Sequence, residues 1–245
     1  MINIPQQYQV KRKIALKTIL SGGMKPSEKK RLRACLKRVH LTQQIQGESI
    51  PSFIDEFHRY EVIMFFNVQL DNIKKADSIA PIFQKLFKPP CVIRFYDKIE
   101  VVFSFANKRI SKKDDKEILL QESVVTLPRP IQTLRESECL LGRVLDFNTI
   151  LNTVHKWGFY LEVMTKSFIA THLNLYSKMT EFLDTPLWYN SDDILDLLKN
   201  MIELKLLNSQ KKKAIQIKDK VILNSQIKNI MDELHLKLDL LHKAV

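Results

Sequence analysis

The sequence predicts an α+β fold. An N-terminal α+β domain over residues 1–133, with a small β-α-β-β sheet, is followed over 134–245 by a long antiparallel helical hairpin of coiled-coil type. Three observations carry this. Runs rich in aromatic and β-branched residues at 60–70, 91–96 and 99–106 bracket a helical stripe. Past Glu138 the apolar period changes to alternating steps of three and four. The chain, 245 residues with 45% apolar and 27% charged content, is long enough to bury a sizeable core.

The first element begins after Gly22-Gly23. Lys25-Pro26-Ser27 reads as a helix start, because proline is tolerated in the first turn. Leu32, Cys35, Leu36 and Val39 follow at helical spacing, which leaves Lys29, Lys30, Arg33 and Lys37 away from the apolar stripe. Gly47 and Pro51 close the unit. The run YEVIMFFNVQL over 60–70 has the composition of a largely buried strand. Ile79, Ile82, Phe83 and Leu86 share a helix face that stops at Pro89-Pro90. Strands over 91–96 and 99–106 form a hairpin around Asp97-Lys98, and a further strand over 118–126 ends before Pro128 and Pro130.

The C-terminal half reads as helix. Phe147, Ile150, Val154, Trp157, Leu161, Met164, Phe168, Leu175 and Phe182 form a seam, which predicts one helix over 146–183, about 57 Å long. Asp184-Thr185-Pro186 interrupts it, and Ser191-Asp192-Asp193 caps the next helix. That helix carries Ile194, Leu197 or Leu198, Met201 and Leu204, loosens at Lys211-Lys212-Lys213, and tightens again at Ile227, Met231, Leu234, Leu238 and Leu241.

The formal charge of +12 is concentrated in one segment. Between residues 11 and 38 eleven lysines and arginines face a single acid, Glu28, so this segment holds +10 of the total. That asymmetry fits a phosphate-backbone contact, because each cation on a phosphate releases condensed counterions. The nucleic-acid-binding candidates are Lys11, Arg12, Lys13, Lys29, Lys30, Arg33 and Lys37. The second long helix is also lysine-rich, with Lys205, Lys211, Lys212, Lys213, Lys218, Lys220 and Lys228 against Asp219. Lysines outside a coiled coil serve solubility as readily as binding.

Several function classes lack their residues. Five glycines, with no GxxxxGK[ST], GxGxxG or HExxH motif, argue against a nucleotide-binding core or a zinc hydrolase, and no cofactor is predicted. Cys35, Cys91 and Cys139 are too widely spaced for a disulfide framework or a CxxC metal site. The six histidines are scattered, so no metal site and no catalytic residue is assigned. No signal-peptide-like or membrane-length apolar run occurs, which predicts a soluble cytoplasmic protein without membrane contact. Asp71, Asp97 and Glu100 with Lys98 are the nearest approach to a metal-dependent nuclease constellation, but Asp and Lys suit a solvated turn equally well. Asp114-Asp115-Lys116 reads as a loop. Trp157 sits at seam spacing and is assigned to packing, whereas Trp188 and Tyr189, beside Pro186, read as a contact surface.

KRKIALK, YEVIMFFNVQL, IAPIFQKLFKPPCVIRFYD and KVILNSQIKNIMDEL together resemble an uncharacterised bacterial family, a domain of unknown function. Tyr60-Glu61 at the strand entry, Pro89-Pro90 before the next strand and the stretch from Lys220 to Asn224 carry the likeness. Ala15-Leu16 and Leu41 depart from it. The resemblance implies genes beside DNA methyltransferases and superfamily-two helicases in restriction or phage-defence operons. It therefore implies a non-catalytic accessory subunit that touches nucleic acid, duplex DNA above all, through its basic N-terminal face. A methyltransferase or helicase subunit would dock on Trp188, Tyr189, Leu234, Leu238 and Leu241, with a homodimer through the coiled coil and a divergent metal-dependent nuclease as the competing readings.

Overall fold

The computed structural model describes residues 3–21, 23–112, 117–136 and 138–243. It is a mixed α and β structure built on one large sheet. In chain order the elements are β1 (Gln9–Ile14), α1 (Leu16–Ser21), α2 (Pro26–Cys35), β2 (Leu36–Ile45), β3 (Phe53–Ile54), β4 (Arg59–Tyr60), β5 (Ile63–Leu70), α3 (Ala76–Leu86), β6 (Cys91–Tyr96), β7 (Glu100–Ile110), β8 (Ile118–Val125), β9 (Arg129–Pro130), α4 (Leu140–Val144), α5 (Lys156–Thr171), α6 (Ser191–Lys213) and α7 (Ile217–Lys243). The sheet runs β1-β2-β5-β6-β7-β8, with β9 added to β7. Only β5 and β6 are parallel among these pairs, because α3 carries the chain across between them.

The predicted β-α-β-β centre is β5-α3-β6-β7, and the sheet extends beyond it on both sides. The expected helix stripe at Leu32, Cys35, Leu36 and Val39 is divided between two elements. Helix α2 ends at Cys35, the Leu36 N–H closes onto the Leu32 carbonyl, and β2 begins at Leu36. Its residues then alternate across the pleat, and pairing with both β1 and β5 satisfies the backbone that a longer helix would have satisfied internally.

Each sheet face has its own apolar cluster. On one face α1, α2 and α3 cover Val39, Phe66, Val68, Ile93, Phe95 and Val102. On the other, Ile63, Phe65, Val92, Val101, Phe103 and Phe105 merge with α4, α5, α6 and α7 in a single cluster, so residues beyond 134 pack directly on the sheet. Tyr160 of α5 ties the two layers: its hydroxyl accepts from Ala106 N at 2.9 Å and donates to Cys91 O at 2.8 Å.

The predicted helix over 146–183 is corrected to a much shorter one. Asp146 caps a 3-10 turn at Phe147–Thr149, and the next strand-like residues are held by side chains rather than by a helical ladder. Leu151 N and Asn152 N both donate to the Glu162 carboxylate. The His155 ring accepts from Gly158 N and starts α5, which ends at Thr171. Leu175 and Phe182 still point inward, but from irregular chain and a 3-10 turn at Met179–Asp184. All sixteen residues of α5 are buried, so it is a central helix and not a coiled-coil strand. Its buried Glu162 and Lys166 pair with one another, and Lys156 donates to Ile50 O at 2.5 Å and Gly47 O at 2.9 Å. These partners offset the desolvation of charge inside the core.

The second predicted helix is broken at 214–216 into α6 and α7. They lie antiparallel, since Lys237 near the end of α7 meets Asp193 at the start of α6, 3.1 Å apart. Among the described residues, no helix is long and apolar enough to cross a membrane.

Candidate nucleic-acid interface

The basic N-terminal residues fall on three elements around the β1 edge. Lys11, Arg12 and Lys13 are exposed on β1, the outermost strand, where a bulge between Gln9 and Arg12 places Lys11 at φ 52°. That left-handed conformation strains a residue with a Cβ, and a bulge of this kind twists an edge strand away from further pairing. Lys29, Lys30 and Arg33 line a shallow hollow on α2 with Pro26 and Ala34. Lys37 is corrected from helix to the first residues of β2, where it and Arg38 are exposed. Within the described residues, none of the eleven cations between 11 and 38 forms an ion pair; Glu28 instead accepts from Lys25 N at 3.0 Å.

Strand register builds a second polar surface. Lys13 pairs with His40, His40 with Asn67, Asn67 with Arg94 and Arg94 with Phe103. Directly paired residues point to the same face. Val39 and Val68, their neighbours along the strands, belong to the α1–α3 side, so this row lies on the opposite face. A parallel row joins Arg38, Gln69 and Tyr96. The row ends in a groove of about 1040 Å³. Phe65, Val92 and Phe103 line it together with Gln43, Asn67 and Arg94, and Arg135 and Arg143 come from the segment that forms its other wall. That wall sits close because α4 packs at Gly142, where a Cβ would fall 2.2 Å from Leu134 O.

Arg94 is the half-buried cation of the groove. Its guanidinium lies 4.9 Å from the centre of the Tyr96 ring. Burial draws its pKa below the ordinary arginine value, Arg135 pushes the same way, and Tyr96 opposes them. An anion between the two guanidinium groups would relieve both. Glu136 and Asp146 also line the wall, with Asp146 engaged by Asn3 Nδ2 at 2.6 Å and by Asn148 N at 3.0 Å. Sequence reading missed Arg94, Asn67, Gln69, His40 and Arg38. Their signal was present as polar residues at every second position within otherwise apolar strands.

Asp71 and Asp97 share a hollow with Lys37, Arg38 and Lys98, but their oxygens are already engaged. Asp97 accepts from Ile99 N at 2.8 Å, Glu100 N at 2.9 Å and Ile73 N at 3.1 Å. Burial raises its pKa, and these N–H groups outweigh burial and hold it below the usual carboxylate range. Asp71 pairs with Lys75 at 2.6 Å. Among the described residues, no group of three or more His, Cys, Asp or Glu side chains is placed to hold a metal ion. Asp114-Asp115-Lys116 lies outside the described residues.

Three of the partner-docking assignments are corrected. Trp188 is fully buried, its indole N–H donates to Phe182 O at 3.0 Å, and Lys166 lies 4.8 Å from its ring centre. Leu234 and Leu238 are buried against α6 and the sheet-side core. Leu241 is half-buried, and Tyr189 is 62% exposed. Trp157 packs as assigned, stacked on Phe53 at 4.7 Å.

A family model described as a domain of unknown function, DUF4391, matches residues 2–234. No curated protein and no solved structure matches the chain.

Proposed function

The chain belongs to the DUF4391 family, and from that premise we propose that it is a non-catalytic nucleic-acid-contacting subunit of a bacterial DNA-modification or phage-defence complex. The observation that carries the reading is the concentration of cations on β1, α2 and the start of β2, mostly exposed and without an ion pair among the described residues. Such charge matches the regular negative charge of a phosphate backbone. The operon setting implied by the resemblance supports a methyltransferase or helicase as the neighbouring subunit. The far end of the α6–α7 pair is the surface proposed for it, since Ile215 and Ile217 there are 92% and 80% exposed.

The test is a salt titration of duplex DNA binding by fluorescence anisotropy. Replacing Lys29, Lys30 and Arg33 together with alanine is expected to weaken binding and to flatten the slope of log K against log salt by about 2–3. Duplex affinity that ignores these substitutions would refute the assignment. Co-purification from the host at high salt tests the partner: a methyltransferase or helicase retained after DNA is lost is the expected result.

A further inference from the structure

We infer that the groove between the sheet face and residues 131–136 and 142–146 takes single-stranded nucleic acid, separately from the duplex contact on α2 and β1. The inference deepens the nucleic-acid reading above and rests on it. Its first support is the mixture of groups lining the groove. Phe65, Val92 and Phe103 close the floor from within the core, the half-buried Ile131 adds apolar surface, Gln43 and Asn67 present amides that both donate and accept, and Arg94 with Arg135 and Arg143 supplies guanidinium groups that outnumber the lining carboxylates of Glu136 and Asp146. A nucleotide strand offers phosphates to the guanidinium groups and unpaired base edges to the amides.

A duplex fits this arrangement poorly. It keeps base faces stacked inside and offers phosphates on a convex surface, so it can lie across the cations of α2 but cannot bring bases to a recessed floor. The second support is Arg94 itself. It is half-buried, lies over the Tyr96 ring and has no carboxylate within ion-pair distance among the described residues. A guanidinium desolvated without an anionic partner is costly to a fold, and a bound phosphate would supply that partner. The third is continuity, since register carries the polar row from Arg94 through Asn67 and His40 to Lys13 at the open edge. A strand leaving the groove would follow this line.

The experiment uses the full chain and two labelled probes, a thymidine oligonucleotide of about twelve residues and a hairpin duplex of similar length. Arg94→Ala, and separately Arg135→Ala with Arg143→Ala, are each expected to weaken the single strand about tenfold or more while leaving the duplex within about twofold. The triple alanine variant of α2 is expected to do the opposite. Arg135 and Arg143 are exposed, so their variants keep the test valid if Arg94→Ala fails to fold. Single-strand affinity unmoved by either groove variant overturns the inference while α2-dependent duplex binding leaves the wider reading standing. Loss of both probes with the folded Arg135 and Arg143 variant also overturns it, and no binding of either probe by the native chain removes both.

Discussion

His172 shows how a single side chain can make the fold sensitive to acid. Burial, followed by the nearby Lys205 charge, lowers its pKa to about 4, while its hydrogen bond to Phe168 O pulls the other way. The unfolded chain therefore takes up this proton first. The contribution to stability is complete above the ordinary value of 6.5 and falls as pH drops toward 4. Urea midpoints measured at pH 7 and pH 4.5 should differ less for His172→Gln than for the native chain, and an equal difference would refute the assignment. Gly142 is constrained by space instead. A methyl group there would meet the Leu134 backbone oxygen at 2.2 Å, and backbone cannot rotate away as a flexible side chain can. Gly142→Ala should cost about 1–3 kcal/mol in urea unfolding and shift the groove wall that carries Arg135. A stability change below about 0.5 kcal/mol would mean that the wall yields freely.

The helices differ sharply in what packing gives them. Helix α5 is surrounded, and its charged residues Lys156, Glu162 and Lys166 find partners inside the protein, whereas the Thr165 and Ser167 hydroxyls have none among the described residues. Helix α7 is half supported: Ile230, Leu234 and Leu238 are buried, whereas Val221 and Ile222 are exposed. Leu234→Ala should therefore cost about 2–5 kcal/mol. Serine at both Ile217 and Val221 should change stability by no more than about 0.5 kcal/mol each in the isolated protein. If those serines lowered the unfolding midpoint as much as Leu234→Ala, the far end of α7 would have to be packed on the chain itself. The strands teach a related lesson. Composition placed β5, β6, β7 and β8 within a few residues, but β2 escaped because Leu36 and Val39 extend the helical spacing begun at Leu32 and Cys35, and the largely polar β1 carries no apolar alternation. A step of three fits the helical period and not strand alternation, and β2 accommodates it through the register shift between Leu36 and Arg38 against β5.

At the scale of the whole molecule, charge asymmetry gives the protein a basic side. Duplex binding should weaken steeply with salt, and a slope near zero would separate the N-terminal charge from any phosphate contact. The basic segment was legible from the sequence because net charge over a window does not depend on fold. So were the central β-α-β-β unit and the burial of Trp157, each resting on local spacing or composition. Tertiary structure alone decided the rest. It put residues beyond 134 on the sheet, sent Trp188, Leu234 and Leu238 into the interior, and aligned Lys13, His40, Asn67 and Arg94 from four separate strands into one row. A single chain reveals which residues alternate along a strand, but the register between strands is set by pairing over long separations, and the groove exists only through that pairing.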